Sequence, residues 1–250
     1  MLNGWAVGEN PRLWQQSQTV TEMARASDVE VNMIAASEYV GSGFTSVFMG
    51  DVTYTAADEL VERARAANRL AASKRSLSYL YFAELDQAAH RFGVDSPQWL
   101  ATLESIDLAI KELVGNYGLL ITADHGVIDV AQEAQVYLDQ VPGFADAVSV
   151  AIGDPRALFC YGDIYLAREA LSAAGVPGYL TTFDELIEKG WVTGRLTRDS
   201  VPDFVLIAKG DIAFYDRRTA NRRSLQMVGQ HGAISDREMR VPLIRGGLFV

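Results

Sequence analysis

Only one cysteine, Cys160, occurs in the 250 residues. A disulfide within the chain is therefore impossible, and a reducing, cytoplasmic setting is the natural expectation. No stretch reaches the roughly 18 apolar residues that a membrane-spanning helix needs, so no span is expected. Met1 to Gln15 lacks a basic stretch followed by an apolar core, so no secretory signal is read there. Positive charge is scarce: 22 Lys and Arg stand against 32 Asp and Glu, a formal net charge of -10. A surface that acidic repels nucleic-acid polymers and does not favour anionic membranes. The basic pairs Arg217-Arg218 and Arg222-Arg223 read as solvated loop. Histidine is scarce too, with only His90, His125 and His231.

What is present is ordinary for a globular chain: 49% apolar and 22% charged residues. The length suits one large domain, or a domain with an inserted subdomain, and a core of that size needs no disulfide or structural metal. Residues 1–20 read as loop, and Thr19 to Ala26 as a short helix. Val29 to Ile34 alternates apolar and polar positions, as a strand does. Gly41-Ser42-Gly43 reads as a turn. Thr55 to Lys74 reads as a helix with Thr55 as its cap. Leu77 to Phe82 reads as a strand. Ser96-Pro97 opens a helix whose apolar face is Leu100, Leu103, Ile106, Ile110 and Leu113, closed by Gly115 and Gly118. Leu119 to Ala123 reads as a strand buried on both faces of a parallel sheet.

This alternation predicts an α/β fold with a parallel sheet. A small α+β insertion is expected at about residues 143–182. Within it, strands Ala147 to Gly153 and Ala157 to Tyr161 flank a Gly-Asp-Pro turn, and a helix covers Asp163 to Ala174. Thr182 and Glu185 have capping-box spacing. Strands are expected at Val205 to Ala208 and Ile212 to Tyr215, with a last one near Val241 to Ile244.

Each histidine sits in a short motif at the end of a predicted strand, where open α/β sheets build their sites. In Glu84-Leu85-Asp86-Gln87-Ala88-Ala89-His90, a helical turn puts Asp86 and His90 on one face, able to share a cation. Taken alone, a capping Asp and a surface His explain that motif as well. Ile121-Thr122-Ala123-Asp124-His125-Gly126 leaves an apolar strand, and both polar side chains can reach one ion if the backbone turns. Taken alone, a polar loop explains it equally. Gly229-Gln230-His231-Gly232 frees the His231 ring to approach a site, and Ser235 with Glu238 has capping-box spacing. Together, Asp86, His90, Asp124, His125 and His231 suit zinc or a similar transition metal better than Ca²⁺ or Mg²⁺. Five ligands exceed one tetrahedral shell and suggest two cations about 3.5–4 Å apart, as in phosphoryl-transfer sites.

Glu-Leu-Asp-x-x-x-His at 84–90, Thr-Ala-Asp-His-Gly at 122–126, and His231-Gly232 followed by Glu238 and Val241-Pro242-Leu243 occur in an order that resembles the type I phosphodiesterase/nucleotide pyrophosphatase family of the alkaline phosphatase superfamily. The resemblance runs from Leu77 to Ile244. It implies a mostly parallel central sheet flanked by helices, with a small inserted α+β segment, over residues 1–250 as one domain. It implies that Asp86, His90 and His231 hold one Zn²⁺ while Asp124 and His125 help hold a second. It also implies a small phosphate-ester or nucleotide substrate.

The family pattern places a further metal Asp and a Thr or Ser nucleophile upstream. The opening Met1-Leu2-Asn3-Gly4-Trp5 resembles sequence beyond that point, so an N-terminally truncated family member is expected and no catalytic nucleophile is assigned. Thr45 and Ser46, in Gly41-Ser42-Gly43-Phe44-Thr45-Ser46, match a segment downstream of the nucleophile. The alternatives are a metal-binding pseudoenzyme or interaction module, a phosphomonoesterase or phosphomutase of the same superfamily, and a plain α/β domain with incidental histidines.

Overall fold

The computed structural model describes residues 17–50, 52–71, 75–192 and 201–250. In chain order its elements begin with α1 (Val20–Ala26), β1 (Glu30–Ala35), β2 (Thr53–Ala56), α2 (Leu60–Ala71), β3 (Ser76–Leu80), α3 (Glu84–Phe92), α4 (Pro97–Ile110) and β4 (Gly118–Thr122). There follow β5 (Ile128–Asp129), β6 (Gln135–Tyr137), α5 (Phe144–Ala147), β7 (Val148–Asp154), β8 (Ala157–Gly162), α6 (Ile164–Ala173), β9 (Gly178–Thr181) and α7 (Phe183–Glu188). The last are β10 (Phe204–Ala208), β11 (Ala213–Tyr215), β12 (Gly229–Gln230), α8 (Asp236–Met239) and β13 (Leu243–Gly247). The first 16 residues, read as loop from sequence, lie outside the described residues.

The chain forms two compact units. The first comprises Met1–Leu85, Leu100–Leu120 and Ile244–Val250. It holds a parallel sheet in the order β2-β1-β3, and a separate pairing of β4 with β13. β1 is the middle strand, so all its residues after Glu30 are buried and the expected alternation does not appear. Thr55 is not a helix cap: it pairs with Ile34 inside β2, and the helix starts at Leu60. The β-favouring Thr53-Tyr54-Thr55 run explains the shift. Arg63 of α2 is buried and donates to both oxygens of Glu84, at 3.0 and 2.6 Å, so it holds the start of α3. β3 pairs with β1 alone among the described residues, and Leu77 and Tyr79 on it are exposed. β4 is not buried on both faces either, since Leu120 is 55% exposed. The expected continuous central sheet is thus, among the described residues, a set of smaller ladders in a mixed α/β fold. On α4, Ser96 does cap the helix through Trp99, but Leu100 and Leu103 of the expected apolar face remain exposed.

The second unit comprises Asp86–Trp99 and Ile121–Leu243. Its largest sheet is antiparallel in the order β7-β8-β10-β9. The hairpin β7–β8 turns at Pro155-Arg156, as the Gly-Asp-Pro signal predicts. β10 is buried at all five positions and packs with Phe144, Val148, Leu171 and Phe214 in the main core. Asp163 caps α6 by accepting from the Tyr165 and Leu166 amides. Thr182 and Glu185 form the predicted capping box on α7. Thr182→Ala will lower stability by about 1 kcal/mol, the usual worth of such a cap; a urea titration without a measurable midpoint shift would show that the box is idle. Two short ladders, parallel β11–β6 and antiparallel β12–β5, complete the unit.

Candidate metal centre

Helix α3 presents Asp86 and His90 one turn apart, as 3.6 residues per turn requires. Oδ2 of Asp86 lies 3.2 Å from Nε2 of His90. On the other side of the ring, Nδ1 lies 2.8 Å from the Gly229 carbonyl oxygen. A carbonyl can only accept, so Nδ1 carries a proton; in the charged ring Nε2–H then donates to Asp86, and in the neutral ring Nε2 keeps the lone pair a metal needs. The Val228 amide donates to the His90 carbonyl at 2.8 Å, doubling this link between α3 and β12. Gly229 makes the approach possible: a Cβ there would stand 2.5 Å from the Ala89 carbonyl oxygen.

The β12–β5 ladder delivers the other two histidines. Gly229 pairs with Asp129 and Gln230 with Ile128. In this antiparallel register, the residue after β12 lies beside the residues before β5. Those are His231 and the loop carrying His125. Their rings stack, with centroids 3.6 Å apart and planes at 17°. The His90 ring lies 5.2 Å from that of His231. Nδ1 of His125 is 3.0 Å from the Gly126 carbonyl oxygen, which again leaves Nε2 with the lone pair.

Asp86, His125 and His231 each offer a ligand atom, all within 4.8 Å of one another. Oδ1 of Asp86 is buried there and accepts no hydrogen bond from the described residues. A buried carboxylate oxygen without a donor is costly, by at least about 1–3 kcal/mol. A divalent cation held by these side chains would satisfy it, so the residues fit a metal ion. Burial favours the neutral carboxyl of Asp86, but the hydrogen bond from His90 and the three imidazole charges outweigh it and hold its pKa low. For His90, burial disfavours the charge, yet the bonds to Asp86 and Gly229 and the charges of Asp86 and Asp154 leave its pKa raised. Burial and the neighbouring His125 lower the pKa of His231, which favours the neutral ring that coordinates metal.

The structure thus brings together Asp86, His90, His125 and His231. Asp124 is 74% exposed at its side chain, and its Oδ1 accepts from the His125 amide at 3.1 Å. Asp turned onto the next backbone amide is a common local alternative to reaching inward. Thr45 in the first unit is buried, and its hydroxyl donates to the Tyr39 carbonyl and accepts from Ser42.

Three further residues touch this region, none of them prominent in the motifs. Asp154 lies beside Gly232, whose Cβ would stand 3.2 Å from that of Asp154. Its charge acts on both His90 and His231. Glu238 is not a capping-box partner, because Ser235 makes no side-chain cap to the α8 backbone. Its carboxylate instead meets Arg156, a residue with no motif of its own.

A mixed α/β fold with imidazoles and a carboxylate gathered beside short strand ends defines a candidate metal-binding protein of the α/β class. The model of the type I phosphodiesterase / nucleotide pyrophosphatase family matches residues 3–234, and the chain belongs to that family, within the alkaline phosphatase superfamily. Among solved structures, the fold is similar to murine ectonucleotide pyrophosphatase / phosphodiesterase 5, at 15% identity and a TM-score of 0.69, covering 94% of this chain and 65% of that one. The human counterpart gives 16% identity and a TM-score of 0.69, with 96% and 66% covered. Phosphonoacetate hydrolase from Sinorhizobium meliloti 1021 gives 15% identity and a TM-score of 0.59, with 91% and 68% covered. The chain therefore spans just under two thirds of the length of the mammalian relatives. No curated protein sequence matches it.

Proposed function

We propose that the protein serves metal-dependent hydrolysis of phosphodiester or pyrophosphate bonds in a small phosphate ester or nucleotide. The carrying observation is that all three histidines of the chain converge on one carboxylate whose buried oxygen has no donor among the described residues. Family membership supports the reaction class, and a nucleotide substrate is supported by a murine relative solved, as an inactive variant, in complex with AMP. By the resemblance Asp86, His90 and His231 would hold one cation and His125 would help hold the second, with Asp124 once its side chain swings inward; the grouping of Asp86 with both His125 and His231 within 4.8 Å supports one shared site for the pair. Two divalent cations, Zn²⁺ for preference given the imidazole-rich set, would polarise a phosphoryl oxygen and activate the attacking one. The chain's own part is to keep the ring proton on Nδ1 of His90 and His125, so that both Nε2 atoms stay available. A reducing, cytoplasmic setting belongs to the same proposal.

A second reading, a cation-binding chain without its own nucleophile, is favoured by Thr45, whose hydroxyl is buried and engaged. Elemental mass spectrometry of the purified chain tests the site, with His90→Ala and His231→Ala as controls. At least about one zinc per chain is expected, lost in both variants. No zinc in a folded parent chain defeats the proposal. Hydrolysis of bis(p-nitrophenyl) phosphate by the zinc-loaded chain favours the first reading, and zinc without hydrolysis the second.

A further inference from the structure

We propose that the buried Arg156–Glu238 pair is the positioning device of this metal centre, holding the two loops that carry His125 and His231 at the separation a cation requires. The inference rests on the metal-site reading above. Both side chains are almost fully buried, at 0% and 2% exposure. Nε of Arg156 donates to Oε1 of Glu238 at 2.6 Å, and Nη2 donates to Oε2 at 2.8 Å. The remaining nitrogen, Nη1, donates to the carbonyls of Gly210 and Ile212. A planar guanidinium clamped on four acceptors has little freedom to turn.

Glu238 is bonded to both histidine loops at once. Its Oε1 also accepts from the amide of Ala233, two residues beyond His231, at 3.0 Å. Its Oε2 accepts from the Ser235 hydroxyl. Its main-chain oxygen accepts from the amide of Gly126, the residue after His125, at 2.7 Å. Arg156 sits in the turn of the β7–β8 hairpin, and its carbonyl accepts from the Ala208 amide of β10 at 2.9 Å, which ties the frame to both. The same turn carries Asp154, beside Gly232. One buried residue therefore fixes residues 126 and 233 relative to each other, and the 3.6 Å stack of His125 on His231 lies between those anchors.

Stability alone explains the pair poorly. Apolar residues of similar volume commonly match or exceed a buried ion pair in stability. What apolar residues lack is direction: they cannot hold an amide and a carbonyl at set distances. Partners that orient metal ligands typically change metal affinity by about 10–100-fold when lost.

The test uses the whole chain, Zn²⁺ in competition with a chromophoric chelator, and the visible spectrum of bound Co²⁺ as a report on coordination geometry. The double variant Arg156→Met/Glu238→Leu leaves no lone buried charge, so it is expected to melt cooperatively. It is expected to bind Zn²⁺ about 10–100-fold more weakly than the parent and to alter the Co²⁺ bands. Glu238→Gln, which keeps the acceptor's shape but not its charge, is expected to lose about 10-fold. Should the double variant fail to fold, the same two readings on Glu238→Gln decide. Folded variants with parental affinity and an unchanged Co²⁺ spectrum overturn the positioning role, while loss in His231→Ala keeps the metal site itself. A parent chain that binds neither metal overturns both.

Discussion

Replacement of Arg156 by methionine is expected to destabilise the protein by about 3–5 kcal/mol at neutral pH. The side chain volume is nearly kept, so cavity formation contributes little. The loss comes from Glu238, left charged and 2% exposed with neither guanidinium bond. Its remaining donors would be the Ala233 amide and the Ser235 hydroxyl. The pH dependence separates this cause from a packing defect. Burial favours the neutral carboxyl of Glu238, but the bonds from Arg156, Ser235 and Ala233 outweigh it and hold its folded pKa below the ordinary value. A depressed carboxylate contributes stability that is fully present above its unfolded pKa and is lost as pH falls through the folded one. In Arg156→Met that contribution is gone, and protonation relieves the buried charge. The gap between parent and variant in urea denaturation is therefore expected to be full near pH 7 and to narrow as pH falls towards and through the ordinary carboxylate range. A gap that stays constant down to that range would point to packing instead.

The sequence disclosed which side chains gather better than it disclosed the frame around them. Asp86 and His90 were readable because helical spacing alone puts them on one face, and α3 delivers that face. His125 and His231 were readable as scarce residues at strand ends. What joins them is a ladder of two residues per strand, too short to leave a pattern. At Asp124 the structure adds what the motif does not show, a local bond from its neighbour's amide to the carboxylate. Glu238 shows the limit of motif reading. Its spacing from Ser235 fits a local cap, but a guanidinium 82 residues away in sequence competes with charge-assisted bonds and prevails. Thr55 was misread for a related reason: Ala- and Arg-rich sequence after it signals helix, while pairing with Ile34 holds Thr55 itself in a strand. Hairpin β7–β8, helix α6 and the α7 capping box were all readable, because turn and cap chemistry is local.

Gly126→Ala is expected to lower zinc affinity at least about 10-fold and stability by about 1–3 kcal/mol. The reason is distance rather than backbone conformation. A Cβ at residue 126 would stand 2.0 Å from the Arg237 carbonyl oxygen and 3.0 Å from its carbon. Both are main-chain atoms of the segment leading into Glu238, and neither can swing away as a side chain would. The methyl must push the His125 loop off that segment, which breaks the Gly126 bond to the Glu238 carbonyl and pulls His125 from His231. Gly175→Ala is the matched control. Gly175 ends α6 at φ +66°, and among the described residues nothing lies within 4 Å of an added Cβ. Its alanine is expected to cost about 1–2 kcal/mol through left-handed backbone strain, with zinc affinity unchanged. Zinc loss confined to Gly126→Ala ties metal binding to the spacing of the two loops. Equal loss in both variants would tie it only to the general stability of the unit, and the positioning argument would lose its strongest geometric support.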